Sequence, residues 1–456
     1  LIYRCNVSNN KTGIKSVGSG VSISNCSIEN NIGTEPGNWG NGGGSGGILL
    51  RGSDSQIVNC NISNNVHERP NYWPGGGGIT LNGNGHLVSN SIISFNSGPQ
   101  GSGIFCDVTG LNGPDAKIKN NIFYANNEHA ITTNNTSSPV FVGNIIANHS
   151  VQSIIHKSGS SFSRFSLNTI INNGTAGSIS VDIDTCTIIN NLIGVEDNVK
   201  MTQSNYIGNR GGFSSTESVN AENNFWGHIT GPYHSSDNPD GLGDTATFLV
   251  DVIPFLESPN TEAPPIPPSN LLLIEVDNTD LSLIWDQSDL EDLEGYKIYY
   301  DSDVSGFPYN NSQDVGLDTS FIISNLPNST SFYIAVTAYD SDGNESWYSN
   351  EVLGVTRLME VSNLNIGIDE DILHLTTHDP SITFRYMDSM NEVQTSYQVQ
   401  VSTYVNFSEI DMWDTGEVTS LDTSLTYSGE TLLDGVTYYL RAKVGSGTFY
   451  SEWATL

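Results

Sequence analysis

A short segment recurs along the first half of this chain. It reads NCSIENN at residues 25–31 and returns as NCNISNN at residues 59–65. In each copy a small or polar residue precedes strand-forming residues. The residues at this position are Cys5, Cys26, Cys60, Ser91, Asn121, Asn144, Thr169 and Asn191. The steps between them are 21, 34, 31, 30, 23, 25 and 22 residues. A shortest step of about 22 residues, with some longer steps, is typical of a stacked repeat that carries loop insertions.

The repeat predicts an all-β fold class, a right-handed parallel β-helix. Each repeat forms one coil of short strands, and equivalent residues of successive coils stack about 4.8 Å apart. Aliphatic residues such as Ile23, Ile28 and Ile57 point inward. Asn fits the bends because it tolerates the left-handed backbone and hydrogen-bonds locally, and stacked Asn side chains can bond to one another. A two-sheet sandwich would instead show hairpin turns every 8 to 12 residues or so.

The charge is acidic and uneven. The net charge is −34 over 456 residues. Residues 1–260 hold 11 Lys or Arg against 18 Asp or Glu, a balance of −7, whereas residues 261–456 hold 5 against 32, a balance of −27. Without a basic patch, nucleic acid and anionic membranes are poor partners. The sequence contains no apolar run long enough for a membrane span, and it is expected to be a piece of a longer exported chain.

The five cysteines are an odd count. Cys5, Cys26 and Cys60 share one repeat position, which predicts an inward column of free thiols. Cys106 and Cys186 are isolated in the sequence. Oxidation between stacked neighbours is the alternative.

Glycine-rich excursions interrupt the first three repeats at one corner, in residues 33–47, 67–78 and 98–103. Each ends at an aliphatic residue that starts a strand. Aromatic and polar residues of these loops are expected to stack on the outside of the coils and to form a glycan-binding platform, because sugar rings offer C–H faces to aromatic rings and hydroxyls to polar groups. The alternative is that the aromatics only pin the loops. The residues predicted to contact the glycan are Trp39, Arg69, Asn71, Tyr72 and Trp73.

Residues 223–255 resemble the closing segment of many secreted bacterial β-helix repeat proteins, which places the end of this domain (1–256) there. The resemblance implies that Phe225, Trp226 and Tyr233 plug the open end of the core. A loop rich in Gly and Pro follows, and its carboxylates are a candidate Ca²⁺ site; a self-bonded Asx-turn loop is the alternative. These carboxylates are Asp237, Asp240 and Asp244.

Residues 257–268 (ESPNTEAPPIPP) predict a semi-rigid Pro-rich linker. Residues 269–356 resemble a fibronectin type III domain through the segments LIW (283–285), GYKIYY (295–300), LP (326–327) and FYIAVTAYD (332–340). The resemblance implies that Trp285 is the core tryptophan and that Phe332 stands where the family usually has its corner tyrosine.

Residues 358–456 resemble a second, more divergent copy. Phe384 occupies the position of the core tryptophan, and Tyr438 restores the corner tyrosine. In the first copy, two loops expected at one end of the sandwich are acidic. They are a second candidate for Ca²⁺, with a solvated acidic rim as the alternative. The carboxylates concerned are Asp286, Asp289, Asp340 and Asp342.

The sequence contains few candidates for catalytic residues. Many similar β-helices are polysaccharide lyases or glycoside hydrolases, and the candidates here are Asp182 and Asp184 with Arg164 and Lys157. No carboxylate or base is expected to stack on the two Asp residues in adjacent coils, and the histidines, His149 included, are expected at loops or the surface. The paired Asp-Asp and Gly-His-Gly signatures of polygalacturonase-type enzymes are absent.

These observations favour a non-catalytic protein, secreted or on a cell surface, that is adhesive or structural in an extracellular assembly. Its expected partner is an extracellular polysaccharide or cell-surface glycan, with no cofactor other than possible Ca²⁺. One alternative is a polysaccharide lyase or glycoside hydrolase. Another is a self-associating fibre subunit, because exposed coil edges can pair with further strands.

Overall fold

The computed structural model of this chain describes residues 1–34, 44–68, 75–99, 101–108, 116–135, 138–150, 155–157, 163–174, 181–192, 194–195, 199–276, 279–367, 375 and 377–456. Two compact units are present. The first comprises residues 1–267 with 288–294 and 338–347, and the second comprises 268–287, 295–337 and 348–456. Across the described ranges there is no helix long and apolar enough to cross a membrane.

Residues of the first unit form a parallel β-helix, as the repeat predicts. Sheet A contains Ile2–Tyr3, Ser22–Ser24, Gln56–Val58, Leu87–Ser89, Lys117–Lys119, Val140–Val142, Ser163–Ser166, Val181–Asp184 and Lys200–Thr202. Sheet B contains Asn6–Ser8, Ser27–Glu29, Asn61–Ser63, Ile92–Ser94, Ile122–Tyr124, Ile145–Ala147, Thr169–Ile171, Thr187–Ile189 and Asn205–Ile207. Sheet C contains Ile14–Ser16, Ile48–Arg51, Ile79–Asn82, Ile104–Val108, Ile131–Asn135 and Ile155–Lys157. Two short pairs join Ile32–Gly33 to Val66–His67 and Gly44–Ser45 to Gly75–Gly76.

The core is built from columns of inward side chains in register. In sheet A, Ile23 pairs with Ile57, and farther along Phe141 pairs with Phe165, whose ring stacks on it at 4.4 Å between centroids. All four side chains are at most 1 % exposed. Burial of such a side chain stabilises the fold by about 1.5–3 kcal/mol, so stability grows coil by coil.

The predicted repeat position is confirmed up to Asn144 and wrong beyond it. The column, called the polar column below, continues with Asn168 rather than Thr169, and Asn191 belongs to the other bend. The reason is that the later coils shorten to 18 residues, the spacing from Asn168 to Cys186 and from Cys186 to Ser204. The full column is Cys5, Cys26, Cys60, Ser91, Asn121, Asn144, Asn168, Cys186, Ser204 and Asn224.

Asn residues at the bends have positive φ values, and Gly residues lie where neighbouring coils leave no room for a side chain. Asn25 and Asn59 precede the polar column at a φ of 53° in each case, and Asn30 precedes the next bend at 54°. The glycine-rich corners return to sheet C at Ile48, Ile79 and Ile104, as expected. A Cβ on Gly78, just before one of these strands, would lie 2.6 Å from the carbonyl oxygen of Gly103 in the next coil. The coils therefore approach too closely there for a side chain.

Aromatic residues close the C-terminal end of the core. The closing segment adds two strand pairs, Val219–Asn220 with Val250–Asp251 and Pro232–His234 with Gly243–Ala246. Trp226 is fully buried and its ring centroid lies 5.2 Å from that of Tyr206 and 6.3 Å from that of Phe213. The expectation for Tyr233 is wrong: it is 44 % exposed because its strand, PYH, turns Pro232 and His234 inward instead.

The Pro-rich segment, which the sequence predicts to be a semi-rigid linker, packs on the β-helix. The Asn205 side chain of sheet B accepts from the Asn260 backbone N–H at 2.7 Å and donates to its carbonyl oxygen at 3.1 Å. Thr187 donates to the carbonyl oxygen of Pro264 at 2.5 Å, and Ala263 is only 2 % exposed. The segment up to residue 267 is therefore part of the first unit.

The first sandwich consists of two antiparallel sheets. One contains Leu272–Val276, Leu281–Ile284 and Ser320–Ile323, and the other contains Asn311–Gly316, Leu293–Asp301, Ser331–Asp340 and Val352–Val355. Trp285 is buried and packs edge-on against Tyr296 at 5.7 Å between centroids. This confirms Trp285 as the core tryptophan. Phe332 is buried as well.

The second sandwich repeats this architecture. One sheet contains Met359–Ile366, Ser381–Asp388 and Ser424–Thr426, and the other contains Trp413–Asp414, Val418–Thr419, Ser396–Ser402, Tyr439–Ser446, Phe449–Tyr450 and Ala454–Thr455. Phe384 is buried against Tyr397. The hydroxyl of Tyr438 accepts from the backbone N–H of Leu433 at 2.8 Å, the bond to upstream backbone that a corner tyrosine makes.

Candidate functional site

The predicted glycan platform lies outside the described residues. This holds for all five of its members, and their role stays a prediction from the sequence. The residues concerned are Trp39, Arg69, Asn71, Tyr72 and Trp73.

A buried ladder of polar side chains runs along the bend that follows sheet B. We call it the Asn ladder. Its backbone N–H and Nδ2 groups donate to Oδ1 in the next coil, as Asn65 does to Asn96 over 3.0 Å in both bonds. Nδ2 of Asn65 also donates to the carbonyl oxygen of Ile28 at 2.8 Å, so its buried amide is satisfied. The ladder comprises Asn10, Asn31, Asn65, Asn96, Asn126, His149, Asn173, Asn191 and Asn209.

His149 occupies one rung of the Asn ladder, in a bend between strands, but it is buried and not at the surface. Its Nε2 lies 3.3 Å from Nδ2 of Asn126, and its Nδ1 lies 3.0 Å from Oδ1 of Asn173. The ladder's direction makes Nε2 the acceptor and Nδ1–H the donor, which is a neutral imidazole. Burial lowers the pKa of His149 to about 4, although the bond to Asn173 opposes this. The ring therefore acts as a structural rung.

Asp244 ends the Asn ladder. Its Oδ2 accepts from the backbone N–H of Asn209 at 2.8 Å and from its Nδ2 at 3.1 Å, and its Oδ1 accepts from the Gly208 N–H at 3.0 Å. An ionised carboxylate only accepts, so it suits the end of a run of donors. Burial raises the pKa of Asp244 more than these three hydrogen bonds lower it.

The loop proposed for Ca²⁺ does not bring its three carboxylates together. Asp244 is engaged in the ladder, whereas Asp237 lies beside His234, whose Nδ1 is 3.4 Å from its carboxylate, and Asp240 is exposed. In the part of the chain that the structure describes, no group of three or more His, Cys, Asp or Glu side chains is arranged to hold a metal ion. Calcium binding there stays a prediction from the sequence.

Two of the four sandwich carboxylates predicted for Ca²⁺ accept local hydrogen bonds, and calcium binding there stays a prediction from the sequence. Asp286 accepts from Ser269 and Asn270. Asp340 is 3 % exposed and its Oδ1 accepts from the backbone N–H of Asn344 at 2.8 Å, an Asx-type turn. Burial, and next the charges of Asp340 and Asp342, raise the pKa of Asp292. The carboxylates that were expected to bind calcium are Asp286, Asp289, Asp340 and Asp342.

The thiols are free, as expected, but they are not all inside. Cys26, Cys60, Cys106 and Cys186 are buried, whereas Cys5 is exposed. Cys186 is not isolated: it is a member of the polar column, where the Asn168 N–H lies 3.4 Å from its sulfur. Burial raises the pKa of Cys186 to about 12, so it is a thiol and not a nucleophilic thiolate.

The outward face of sheet A carries a column of alternating charges near its C-terminal end. Arg164 pairs in register with Asp182, and Asp182 with Lys200. The expectation that nothing stacks on Asp182 is therefore wrong, because the 18-residue coils place a cation on each side of it. Beside this column, Thr202 donates to Oδ1 of Asp184 at 3.1 Å. Lys157, the fourth candidate for catalysis, lies on sheet C instead.

A cleft of about 340 Å³ adjoins the same face. Leu167, Thr185 and Gln203, which have φ values of 56°, 52° and 52°, line it from three successive bends between sheets A and B. The Pro-rich segment contributes Asn260 and Glu262. Ser166 and Asp184 complete the lining. Polar groups from two parts of the chain thus converge here, an arrangement that the sequence pattern did not reveal.

Family comparisons agree with this architecture. Residues 1–193 match the model described as right handed beta helix region, residues 266–353 match the fibronectin type III domain, and residues 361–455 match the Rha78A-like, N-terminal immunoglobulin domain. The chain is a right-handed parallel β-helix followed by a fibronectin type III domain and an immunoglobulin-like domain. The second sandwich, expected as a divergent fibronectin type III copy, therefore matches a different sandwich family. Such domains are typical of cell-surface and extracellular proteins.

Solved structures similar to this chain include fibronectin type III domains. A segment of two fibronectin type III domains from chicken tenascin is 21 % identical, with 41 % of this chain and 97 % of that chain covered and a TM-score of 0.21. The fibronectin type III domain of human fibronectin type III domain containing protein 3 is 28 % identical, with 21 % and 87 % covered and a TM-score of 0.19. No significant match is found among curated proteins.

Proposed function

We propose that this chain is a non-catalytic extracellular protein, secreted or held at a cell surface, whose β-helix contacts extracellular polysaccharide or cell-surface glycan. The β-helix, fibronectin type III and immunoglobulin-like domains fit an extracellular multidomain protein. In this proposal the stacked coils form a rigid scaffold and the glycine-rich corner loops supply sugar contacts.

One observation supports a scaffold best: residue types that are often catalytic have structural roles here. His149 is a neutral rung of the Asn ladder, Asp244 is its terminal acceptor, and Cys186 is a buried thiol of the polar column. A general base needs solvent or substrate within reach and a pKa near the working pH. His149 and Cys186 are buried and Asp244 is half-buried, and all three are hydrogen-bonded along the coil stack, where they add rigidity.

Retention on immobilised polysaccharide tests the proposal. The full chain would be applied to columns of neutral and of uronate-containing polymers, and the eluates would be assayed for new reducing ends and for unsaturated products. Retention without cleavage is the expected result. The double variant Trp39→Ala, Trp73→Ala should elute earlier, whereas Trp413→Ala, a tryptophan of the second sandwich, is the matched control. Passage of the wild-type chain through every column would contradict the proposal.

A polysaccharide lyase is the second candidate, and the charged column on sheet A favours it. Arg164 and Lys200 flank Asp182, and a lyase needs a basic group that can take the proton next to the uronate carboxyl group. Unsaturated product in the same assay would establish this activity. Its loss in Arg164→Gln, with Lys117→Gln farther along the same face as control, would assign the base.

A further inference from the structure

We propose that the cleft lined by Leu167, Asp184, Thr185, Gln203 and Glu262 binds a neutral saccharide unit of an extracellular polysaccharide. The inference rests on the proposed function, since it names a second place where the β-helix meets glycan. It differs in chemistry from the corner-loop platform predicted from the sequence, because its lining contains no aromatic ring.

The cleft is preformed. Asn260 is held by Asn205 through two hydrogen bonds, and its Nδ2 donates to the carbonyl oxygen of Gln203 at 2.5 Å. Glu262 follows two residues later, and its N–H donates to Oδ1 of Asn260 at 3.2 Å. The lining residues from the coils are also held in place, because Leu167, Thr185 and Gln203 lie in bends between paired strands, and Ser166 and Asp184 end strands of sheet A. A site that is already ordered loses little conformational entropy when it binds a ligand.

The lining suits a sugar ring. Asp184 and Glu262 are exposed carboxylates that accept hydrogen bonds, and vicinal sugar hydroxyls supply paired donors. The hydroxyl and amide groups of Thr185 and Gln203 add both donors and acceptors. Leu167 is 43 % exposed and offers an aliphatic surface to the C–H face of a ring. A volume of about 340 Å³ lies at the lower end of the roughly 300–1,000 Å³ of small-ligand sites.

Charge selects a neutral sugar over an acidic one. Asp184 and Glu262 lie in the lining itself, whereas the cations Arg164 and Lys200 lie in the neighbouring column and are offset by Asp182. A uronate or sulfate would bring another anion to two carboxylates in a chain of net charge −34. Like charges so placed disfavour binding.

The test compares isosteric variants of the full chain. Affinity electrophoresis would be run in gels that contain a neutral glucan, a neutral mannan, a neutral xylan or polygalacturonate. The double variant Asp184→Asn, Glu262→Gln should lose roughly tenfold or more in affinity for the neutral polymer that retards the wild type, because bonds to charged groups are the stronger ones. Glu257→Gln removes one charge from the same Pro-rich segment outside the lining, and it should bind like the wild type.

Each outcome separates the cleft from the corner loops. Loss of retardation in the cleft variant on a neutral polymer, with Glu257→Gln retarded like the wild type, supports the cleft whether or not Trp39→Ala, Trp73→Ala is also retarded less. Unchanged retardation of the cleft variant, with loss in the tryptophan variant, overturns the cleft and leaves the proposed function in place. Preference for polygalacturonate overturns the assignment to neutral sugars. A wild-type chain that no polymer retards overturns the cleft and the proposed function together.

Discussion

His149 donates from Nδ1 to Oδ1 of Asn173 across 3.0 Å, in the middle of an otherwise amide-built ladder. Its other ring nitrogen accepts from Asn126. Protonation of Nε2 would place a ring N–H opposite the amide donor of Asn126, so that two donors would face each other in a core that excludes water. The folded pKa of about 4 lies below the ordinary value of 6.5, so the unfolded chain takes up the proton first.

His149→Asn should flatten the acid dependence of β-helix stability. In the wild type the free energy of unfolding is unaffected by His149 above about pH 6.5, and it falls as the pH drops toward 4, by about 1.4 kcal/mol per pH unit and about 3 kcal/mol in all. Asn lacks this proton uptake and can continue the ladder. Urea-unfolding midpoints at about pH 7 and about pH 4.5 measure the difference.

The control for this variant is His129→Asn, which removes an imidazole outside the Asn ladder. Part of the acid dependence should survive in His149→Asn, because burial also lowers the pKa of His86. An equal pH dependence in wild type and His149→Asn would show that the ring is not a buried neutral rung.

Asp244→Ala should destabilise the C-terminal coils by about 2–4 kcal/mol, because it leaves the donors of Gly208 and Asn209 without their acceptor. Asp244→Asn retains one acceptor oxygen for Asn209 and should lose less. Amide hydrogen exchange of Gly208 and Asn209 measures the effect locally. Equal exchange in the two variants would mean that the carboxylate does not terminate the ladder.

Asn205→Ala should release the Pro-rich segment. The Asn205 side chain makes both hydrogen bonds to the Asn260 backbone, so its removal should accelerate exchange of the Asn260 amide by about tenfold or more, at about 1–3 kcal/mol of local stability. Asn260→Ala is the matched control, since it keeps those two backbone bonds and removes the side-chain bonds of Asn260 to Gln203 and Glu262. If the control exchanges as fast as Asn205→Ala, docking does not depend on Asn205.

The sequence predicts the elements that repeat but not those that depend on coil length. The Asn and aliphatic pattern around Cys26 and Cys60 predicts strands, bends and inward faces, since local propensity and burial agree there. The same pattern does not reveal that the coils after Asn144 shorten to 18 residues. Counting back from Ser204 in steps of 18 would have found Cys186 and Asn168.

The cleft was harder to predict from the sequence, because its lining comes from distant parts of the chain. Asp184 and Glu262 are 78 positions apart, and only the docking of the Pro-rich segment brings them to one cleft. Its composition predicts a linker, whereas hydrogen bonds from Asn205 to the Asn260 backbone and from Thr187 to the carbonyl oxygen of Pro264 hold it on the β-helix. The calcium predictions rest on carboxylates that share one loop or one end of a sandwich, and this placement does not reveal that Asp244 and Asp340 accept from backbone N–H groups.

Arg357 and Asp388 form a buried ion pair in the second unit, and its removal should be costly. The Arg357 Nε–Oδ1 and Nη2–Oδ2 distances are 3.0 and 2.5 Å, and the side chains are 5 % and 1 % exposed. Burial alone would raise the pKa of Asp388, but the hydrogen bonds from Arg357, Met390 and Tyr386 together hold it below its ordinary value. Its stabilising effect is therefore present at neutral pH and is lost only as the pH falls through this lowered pKa.

Asp388→Asn should lower the free energy of unfolding of the second sandwich by about 3–5 kcal/mol, because it leaves a buried guanidinium without its counter-ion. Arg357→Met should lower the free energy of unfolding by a similar amount, because it leaves the buried carboxylate without its counter-ion. The double variant should lose clearly less than the sum, because neither charge is then left alone. Urea unfolding of all four proteins at about pH 7 measures the coupling. Additive losses would mean that the two charges are each stabilised by other groups, such as Tyr386 for Asp388 and the Phe449 ring for Arg357.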